Sequence, residues 1–296
     1  MILPLELPVP PGYFARPVWT GNGFRIGDAI LRVLSYGGEP AGWTDELTQV
    51  HEDVAGEDHY IDRASREHAG DELERWMSTA RPVVIDIGCS SGFLLKSLRK
   101  RFPGHCLLGA DCVPGPLERL AAAMPDLPLM QFDLPSCPLP DGCFDAVVLL
   151  NVLEHVEDDL AAVRQVYRIL KPGGVAVVEV PAGPHLYDVY DRQLLHYRRY
   201  RMGDLTALFQ RAGFRVLARS HLGFFLYPAF RTVKKRNQKY LREAPEIQRE
   251  IVRRSIRRSS NSPLMYGIMK LEAALRRWVR YPAGIRCLVT CRRPAE

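Results

Sequence analysis

The sequence predicts a doubly wound α/β domain on a mostly parallel, seven-stranded sheet, with N-terminal helices ahead of it and a basic helical insertion before the last strand. Three observations carry this expectation. Between Val83 and Val180, short runs rich in branched apolar residues alternate with amphipathic stretches of helical period. Those runs are apolar throughout, the pattern of parallel strands covered on both faces. Glycine and proline turns separate them, as a repeating strand–helix order requires.

Taken in order, residues 1 to about 42 are rich in Pro and Gly. The runs Phe24–Ile26 and Ala29–Leu34, around the Gly27-Asp28 turn signal, predict a small hairpin. The polar, helical pattern from Thr44 to Met77 predicts two helices ahead of the core. Val83–Ile87 then reads as the first core strand and Phe93–Lys100 as an amphipathic helix. Cys106–Ala110, Pro116–Met124, Leu129–Phe132 and Ala146–Leu150 continue the alternation, with a Pro-rich loop at Pro135–Gly142. Leu160–Ile169 reads as a helix stopped by the turn Lys171-Pro172-Gly173-Gly174, and Val175–Val180 as the next strand. A helix over Asp204–Ala212, a strand over Phe214–Ala218 and a last strand over Ile285–Cys291 complete the expected sheet. Between the last two strands lie a basic run, Arg231–Tyr240, an arginine-rich helix, Glu246–Arg258, and an amphipathic helix, Leu264–Trp278. The expected organisation is residues 1–80 as N-terminal hairpin and helical cap, 81–222 as core, 223–284 as basic insertion and 285–296 as last core strand.

A chain of 296 residues with 47% hydrophobic and 25% charged residues has the makings of a large core, which excludes a wholly disordered or collagen-like chain. Its longest apolar stretches fall short of the roughly 20 residues that cross a bilayer, and Met1–Pro11 has no basic leader. Neither a membrane span nor a secretory signal is expected, and a cytoplasmic location follows. The 7 cysteines are an odd number without a C-x2-C pair, so reduced thiols are expected. A cluster drawn from Cys106, Cys112, Cys137 and Cys143 matches no zinc spacing, so no metal is expected.

Charge is unevenly placed. Residues 192–296 hold 25 Lys+Arg against 6 Asp+Glu, leaving 15 against 28 in residues 1–191. A split of that size means that the C-terminal third docks on the acidic part, faces an anionic partner, or does both.

The strongest chemical signal is Val83-Val84-Ile85-Asp86-Ile87-Gly88-Cys89-Ser90-Ser91-Gly92-Phe93, a buried strand running through a glycine-bounded turn into a helix. Gly88 and Gly92 let backbone approach a ligand, and the helix start favours a carboxylate or phosphate. A dinucleotide site needs G-x-G-x-x-G, and only two glycines, four apart, are present here. Asp111 closes the second strand, where a carboxylate can accept hydrogen bonds from two ribose hydroxyls or cap the next helix.

The Asp86–Gly92 stretch resembles the first motif of class I S-adenosylmethionine-dependent methyltransferases, acidic-x-Gly-x-Gly-x-Gly, with Ser90 at the middle glycine. Asp133 in Gln131-Phe132-Asp133-Leu134, the approach Pro138–Asp145 to the fourth strand, and Leu150-Asn151-Val152-Leu153-Glu154-His155-Val156 after it extend the likeness over about Arg81 to Phe214. The resemblance implies a Rossmann-like fold, S-adenosyl-L-methionine as cofactor and S-adenosyl-L-homocysteine as product. It implies a cofactor site made by Asp86, Gly88, Cys89, Ser90 and Gly92, by Asp111 and Cys112, by Asp133 and Leu134, by Asn151, and by Tyr60, which with His59 and Trp76 would cover the cofactor.

Methyl transfer to a hydroxyl benefits from a base, and histidine suits it. His155 stands beside the expected sulfonium, either as base or as a residue shaping the loop. His196 lies in Tyr187–Tyr200, which is similar to a D-x(4)-H-x-R-R-Y stretch of bacterial methyltransferases associated with glycan and lipid-linked sugar pathways. Asp191 would orient His196 or pair with Arg198 or Arg199. The expected activity is methylation of a small-molecule or sugar-containing acceptor, at oxygen first. The alternatives are RNA methylation through the basic third and a methyltransferase-like binding module without turnover. Phe224–Phe230 followed by Arg231, Lys234, Lys235, Arg236 and Lys239 has the order of a peripheral contact with anionic membrane. Arg253, Arg254, Arg257 and Arg258 suit phosphates, but no aromatic RNA-binding motif accompanies them, and nucleic acid is the weaker reading. Leu264, Ile268, Leu271, Leu275 and Trp278 form one apolar helix face for the core or for a second subunit, the oligomeric state being open.

Overall fold

The computed structural model describes residues 3–37, 59–244, 246–252, 262–276 and 278–295. The helix expected from Thr44 onward and the Arg253–Arg258 cluster lie outside these. Near the N-terminus, β1 (Val18–Trp19), β2 (Phe24–Ile26) and β3 (Ala29–Leu31) form a small antiparallel sheet. The expected hairpin is therefore shorter, and the residues after it do something else: β4 (Val33–Ser35) leaves to pair in parallel with the edge of the central sheet. Leu34 is completely buried there, and Tyr36 N–H donates to Gln131 O at 2.9 Å. An open sheet edge with unpaired backbone groups is satisfied by this strand, so among the described residues the sheet has eight strands rather than seven.

The elements that follow are α1 (Tyr60–Trp76), β5 (Val83–Ile87), α2 (Phe93–Arg101), β6 (Cys106–Asp111), α3 (Pro114–Ala123), β7 (Leu129–Gln131) and β8 (Phe144–Leu150). Then come α4 (Asp159–Ile169), β9 (Leu170–Pro181), α5 (Val189–Gln193), α6 (Met202–Arg211) and β10 (Arg215–Leu222). The insertion carries α7 (Tyr227–Gln238), α8 (246–252) and α9 (Pro263–Leu275), and β11 (Arg286–Arg292) closes the sheet. The strand order is β10-β11-β9-β8-β5-β6-β7-β4, with β11 antiparallel to both neighbours. The order reverses between β5 and β8, and in open α/β sheets ligands bind at such a switch point, outside the carboxyl ends of the strands.

Strand periodicity explains why the core runs are apolar throughout. Val83, Ile85 and Ile87 of β5 pack with Ala162, Val163 and Val166 of α4, Leu205 and Phe209 of α6, and Trp19 and Phe24 of the small sheet. Val84, between them, points to the opposite layer with Leu73 of α1, Leu94, Leu95 and Leu98 of α2, and Leu117 and Leu120 of α3. The turn expected at Lys171–Gly174 lies inside β9. Phe144 pairs with Leu170 and Ala146 with Val175, so four residues bulge out and are held by Gly173 N–H to Arg293 O at 2.9 Å.

The insertion returns over the carboxyl end of the sheet and packs on α1. The apolar face expected from Leu264 to Trp278 holds only in part: Ile268 packs on the core beside the buried Met269, while Leu264, Leu271 and, beyond the helix, Trp278 are exposed and Glu272 is buried. Glu272 is turned inward because its carboxylate accepts from Gly223 N (2.7 Å) and Phe225 N (3.3 Å), capping the turn that opens the insertion. The aromatic run before α7 is split: Leu226 is buried, Phe224 and Phe230 are partly buried, and Phe225 is exposed. Phe224 stacks on Tyr281 with ring centroids 5.1 Å apart, and Leu226 and Phe230 face the cleft described next. No helix among the described residues is long and apolar enough to cross a membrane.

Candidate functional site

A cleft of about 860 Å³ opens over the β5/β8 switch point, roofed by the start of α1 and by α7. That volume lies within the range of roughly 300–1,000 Å³ that small-molecule and cofactor sites occupy. Gly88, Ser90, Asp111, Cys112, Asp133, Leu134, Asn151, His155 and His196 line it, together with Tyr60 and His59.

The first loop is shaped by its left-handed residues. Gly88 has φ 80°, and a side chain there would overlap Val152, so only glycine keeps the loop after β8 in place. Ser90 holds φ 44°, and its N–H donates to Asp111 Oδ2 at 2.9 Å. Asp111 Oδ1 accepts from Val113 N at 3.0 Å, so the carboxylate is fixed at both oxygens and keeps lone pairs for a ligand. Burial raises its pKa, against the lowering effect of the backbone hydrogen bonds from Val113 and Ser90. At the next strand end Asp133 is half-buried, flanked by apolar Phe132 and Leu134. Carboxylates at successive strand ends with apolar walls between them fit a nucleoside: hydroxyl donors at Asp111, an amino donor at Asp133, a ring between.

Four residues expected in this site do not line the cleft. Cys89 points into the core, and Gly92 (φ 72°) serves packing, since a Cβ there would meet Leu120 at 2.6 Å. Asp86 is buried beneath the loop, and burial, then the neighbouring Asp111, pushes its carboxyl up to about 8. Asp191 stands behind His196. Trp76 is also distant from the cleft: α1 has 17 residues, roughly 25 Å at 1.5 Å each, and Trp76 is at its far end. There its indole donates to Glu72 Oε2 at 3.1 Å. Asn151, with φ 56°, turns its amide toward Glu179 Oε1 at 3.3 Å.

The far side of the cleft is built by the segment after β9. Tyr200 N–H donates to Pro181 O (2.8 Å) and Tyr197 N–H to Glu154 O (2.8 Å), which lays His196 against the turn after β8. The rings of His155 and His196 meet edge to face at 4.7 Å. Asp188 caps α5, and Asp191 Oδ2 accepts from Asp188 N at 3.0 Å, a reciprocal capping box. The remaining contacts of Asp191 are His196 Nδ1 (2.9 Å), Arg199 Nη1 (2.8 Å) and Lys234 Nζ (2.8 Å). Its pairing is therefore with Arg199 and not with Arg198, which binds Asp159 at 2.8 Å. Burial alone would raise Asp191, but the His196 hydrogen bond and the Lys234 and Arg199 cations outweigh it and hold the carboxyl well below the usual range. Burial lowers His196, with Arg199 and Lys234 acting in the same direction against the Asp191 hydrogen bond. An ionised Asp191 takes the Nδ1 proton of a neutral imidazole and leaves Nε2 as a hydrogen-bond acceptor.

Several residues at the cleft escaped sequence reasoning. Lys234 comes from α7 and also binds Asp188 Oδ1 at 2.7 Å; nothing in a run of five basic residues marks one as internal. Glu154 is fully buried, its carboxyl pushed up to about 8 by burial. Arg286 of β11 reaches Glu179 Oε1 and Asp62 Oδ1, each at 2.5 Å, tying the start of α1 to the sheet. Glu179 had left a trace, as the single carboxylate in the apolar run Val175–Val180.

Fold and site together define an α/β domain whose switch-point cleft has carboxylates at one end and a buried, Asp191-bound histidine at the other. Residues 85–178 match the methyltransferase domain family. A probable S-adenosylmethionine-dependent methyltransferase of Mycolicibacterium smegmatis is 30% identical over 138 residues, 45% of this chain and 52% of that protein. The ubiquinone biosynthesis O-methyltransferase of Ruegeria pomeroyi is 32% identical over 125 residues, 40% of this chain and 49% of that protein. The chain thus spans about half the length of these relatives. Among solved structures, a Haemonchus contortus phosphoethanolamine N-methyltransferase bound to S-adenosylhomocysteine has TM-score 0.54 and 15% identity, covering 85% of this chain and 58% of that one. The [4+2]-cyclase SpnF has TM-score 0.55 and 17% identity, covering 88% of this chain and 100% of that one. Residues 85–178 therefore carry a methyltransferase domain, and the sheet order and switch-point cleft are those of the class I methyltransferase fold. A cyclase on the same fold shows that the reaction has to be argued from the site.

Proposed function

We propose that the chain transfers a methyl group from S-adenosylmethionine to an oxygen of a small-molecule or sugar-containing acceptor held beneath the insertion. One observation carries this reading: the Asp111 and Asp133 carboxylates at one end of the cleft and the Asp191-oriented His196 at the other face the same space. When bound, the sulfonium supplies an electrophilic methyl carbon. Asp111 and Asp133 would hold the nucleoside, with Phe132 and Leu134 beside the base and Ser90 and Gly88 supplying close backbone. His196 Nε2 accepts the proton of the acceptor hydroxyl, while Asp191 keeps the tautomer fixed and stabilises the imidazolium that forms. His155 packs on the His196 ring and limits its rotation. Leu226, Phe230, Val233 and Met265 give the acceptor side an apolar wall, and Arg199, Lys234 and Arg236 give it a cationic edge. An acceptor with an apolar flank and an anionic group suits that wall best.

Calorimetry of S-adenosylmethionine binding with Asp111→Ala as control tests the cofactor half. Incubating labelled cofactor with extracted metabolites and with RNA tests the acceptor half. Label in a small-molecule fraction is expected; label in RNA overturns the acceptor assignment.

A further inference from the structure

Three ligand-type side chains meet on the floor of the cleft. Glu154 is completely buried, and neither of its carboxylate oxygens has a hydrogen-bond partner among the described residues. A buried carboxyl left in that state is costly in either protonation state and calls for an ion or another polar ligand. One ligand atom each from Glu154, His155 and His196 lies within 4.8 Å of the other two. Ligands at about 2.0–2.2 Å around a tetrahedral centre stand roughly 3.3–3.5 Å apart, so side-chain shifts of about 1 Å complete such a site.

The surroundings support coordination independently of that convergence. His196 gives its Nδ1 to Asp191 at 2.9 Å, the carboxylate–histidine arrangement that orients metal-bound imidazoles and leaves Nε2 to the metal. Asp191 is itself immobilised by Arg199, Lys234 and the Asp188 N–H. We propose that Glu154, His155 and His196 bind a divalent transition-metal cation, with a fourth position open to the cleft. Two imidazoles and one carboxylate suit Zn²⁺ or Co²⁺ and not Mg²⁺, which prefers an all-oxygen octahedron. The binding claim stands apart from the methyl-transfer reading, and only its consequence rests on it: Nε2 is the base in the metal-free chain, and in the metal-loaded chain that lone pair is coordinated and the cation would face the acceptor oxygen in its place.

The test is titration of the tag-free, chelator-treated full chain with Co²⁺, following the visible bands of low-coordinate cobalt. Stoichiometric binding with such bands is expected, weakened at least tenfold in Glu154→Gln and in His155→Gln, and about 10–100-fold in Asp191→Asn. Absence of the bands in the parent chain overturns the proposal, and so does unchanged affinity in Glu154→Gln. If Glu154→Gln fails to fold by circular dichroism, His155→Gln decides in the same way. S-adenosylmethionine calorimetry on the metal-free chain is run in parallel. Cobalt binding without cofactor binding would refute the methyl-transfer reading and leave the metal site standing, and the converse would do the reverse.

Discussion

Lys234 is the most deeply buried of the cations by which the described part of the basic insertion holds the acidic core. Its ammonium sits 2.7 Å from Asp188 Oδ1 and 2.8 Å from Asp191 Oδ2, with both aspartate side chains at 0% exposure and its own at 6%. Lys234→Met keeps the aliphatic stem against Phe230 and Tyr190 but leaves two buried carboxylates with one cation fewer. Breaking a buried pair from one side costs about 3–5 kcal/mol, because the remaining charge is stranded. For a chain of this size that corresponds to a fall in melting temperature of roughly 5–8 °C. The assay is thermal and urea unfolding of the parent, Lys234→Met and the double variant Lys234→Met/Asp188→Asn. The double variant should recover at least half of the loss, since it removes one stranded charge while Asp191 keeps Arg199 and His196. A Lys234→Met chain within about 1 kcal/mol of the parent would refute the claim that this contact docks the insertion.

Three further outcomes are expected. His196→Ala should lower turnover at least tenfold with cofactor affinity within about twofold in calorimetry; equal losses in both would make His196 structural. Gly88→Ala should destabilise the chain by about 1–3 kcal/mol and weaken cofactor binding at least tenfold, because φ 80° and Val152 both oppose a side chain, whereas Ser90→Gly should bind cofactor as the parent does. Asp86 carries a folded-state carboxyl raised to about 8, so its contribution to stability is fully present below the unfolded value of about 3.9 and is lost as pH rises to about 8. Asp86→Asn should therefore gain on the parent in urea midpoint across that window, and parallel curves would contradict the assignment.

How far the sequence reached is set by the range of the forces involved. Period-two burial against two helix layers wrote the core strands into continuous apolar runs. Turn chemistry after those strands marked the carboxyl edge where Gly88, Ser90, Asp111, Asp133 and Asn151 gather. These are local patterns, fixed by neighbours a few residues apart, and they were enough to name the fold and to mark the loops that line one end of the cleft. The other end was not written locally. Val33–Ser35 becomes a strand only because β7 offers an unpaired edge, and Glu272 turns inward only because a distant turn presents free N–H groups. Lys234 was one cation in a basic run until the chain brought α7 back over Asp188 and Asp191. Partners 43 and 46 residues apart in sequence leave no periodic signal. The convergence of Glu154, His155 and His196 has the same origin, since it depends on where the segment after β9 crosses the turn after β8. The sequence by itself determined which surfaces had to be buried; tertiary packing alone decided which charges were buried with them, because the cost of stranding a charge is met by whichever partner the fold brings near.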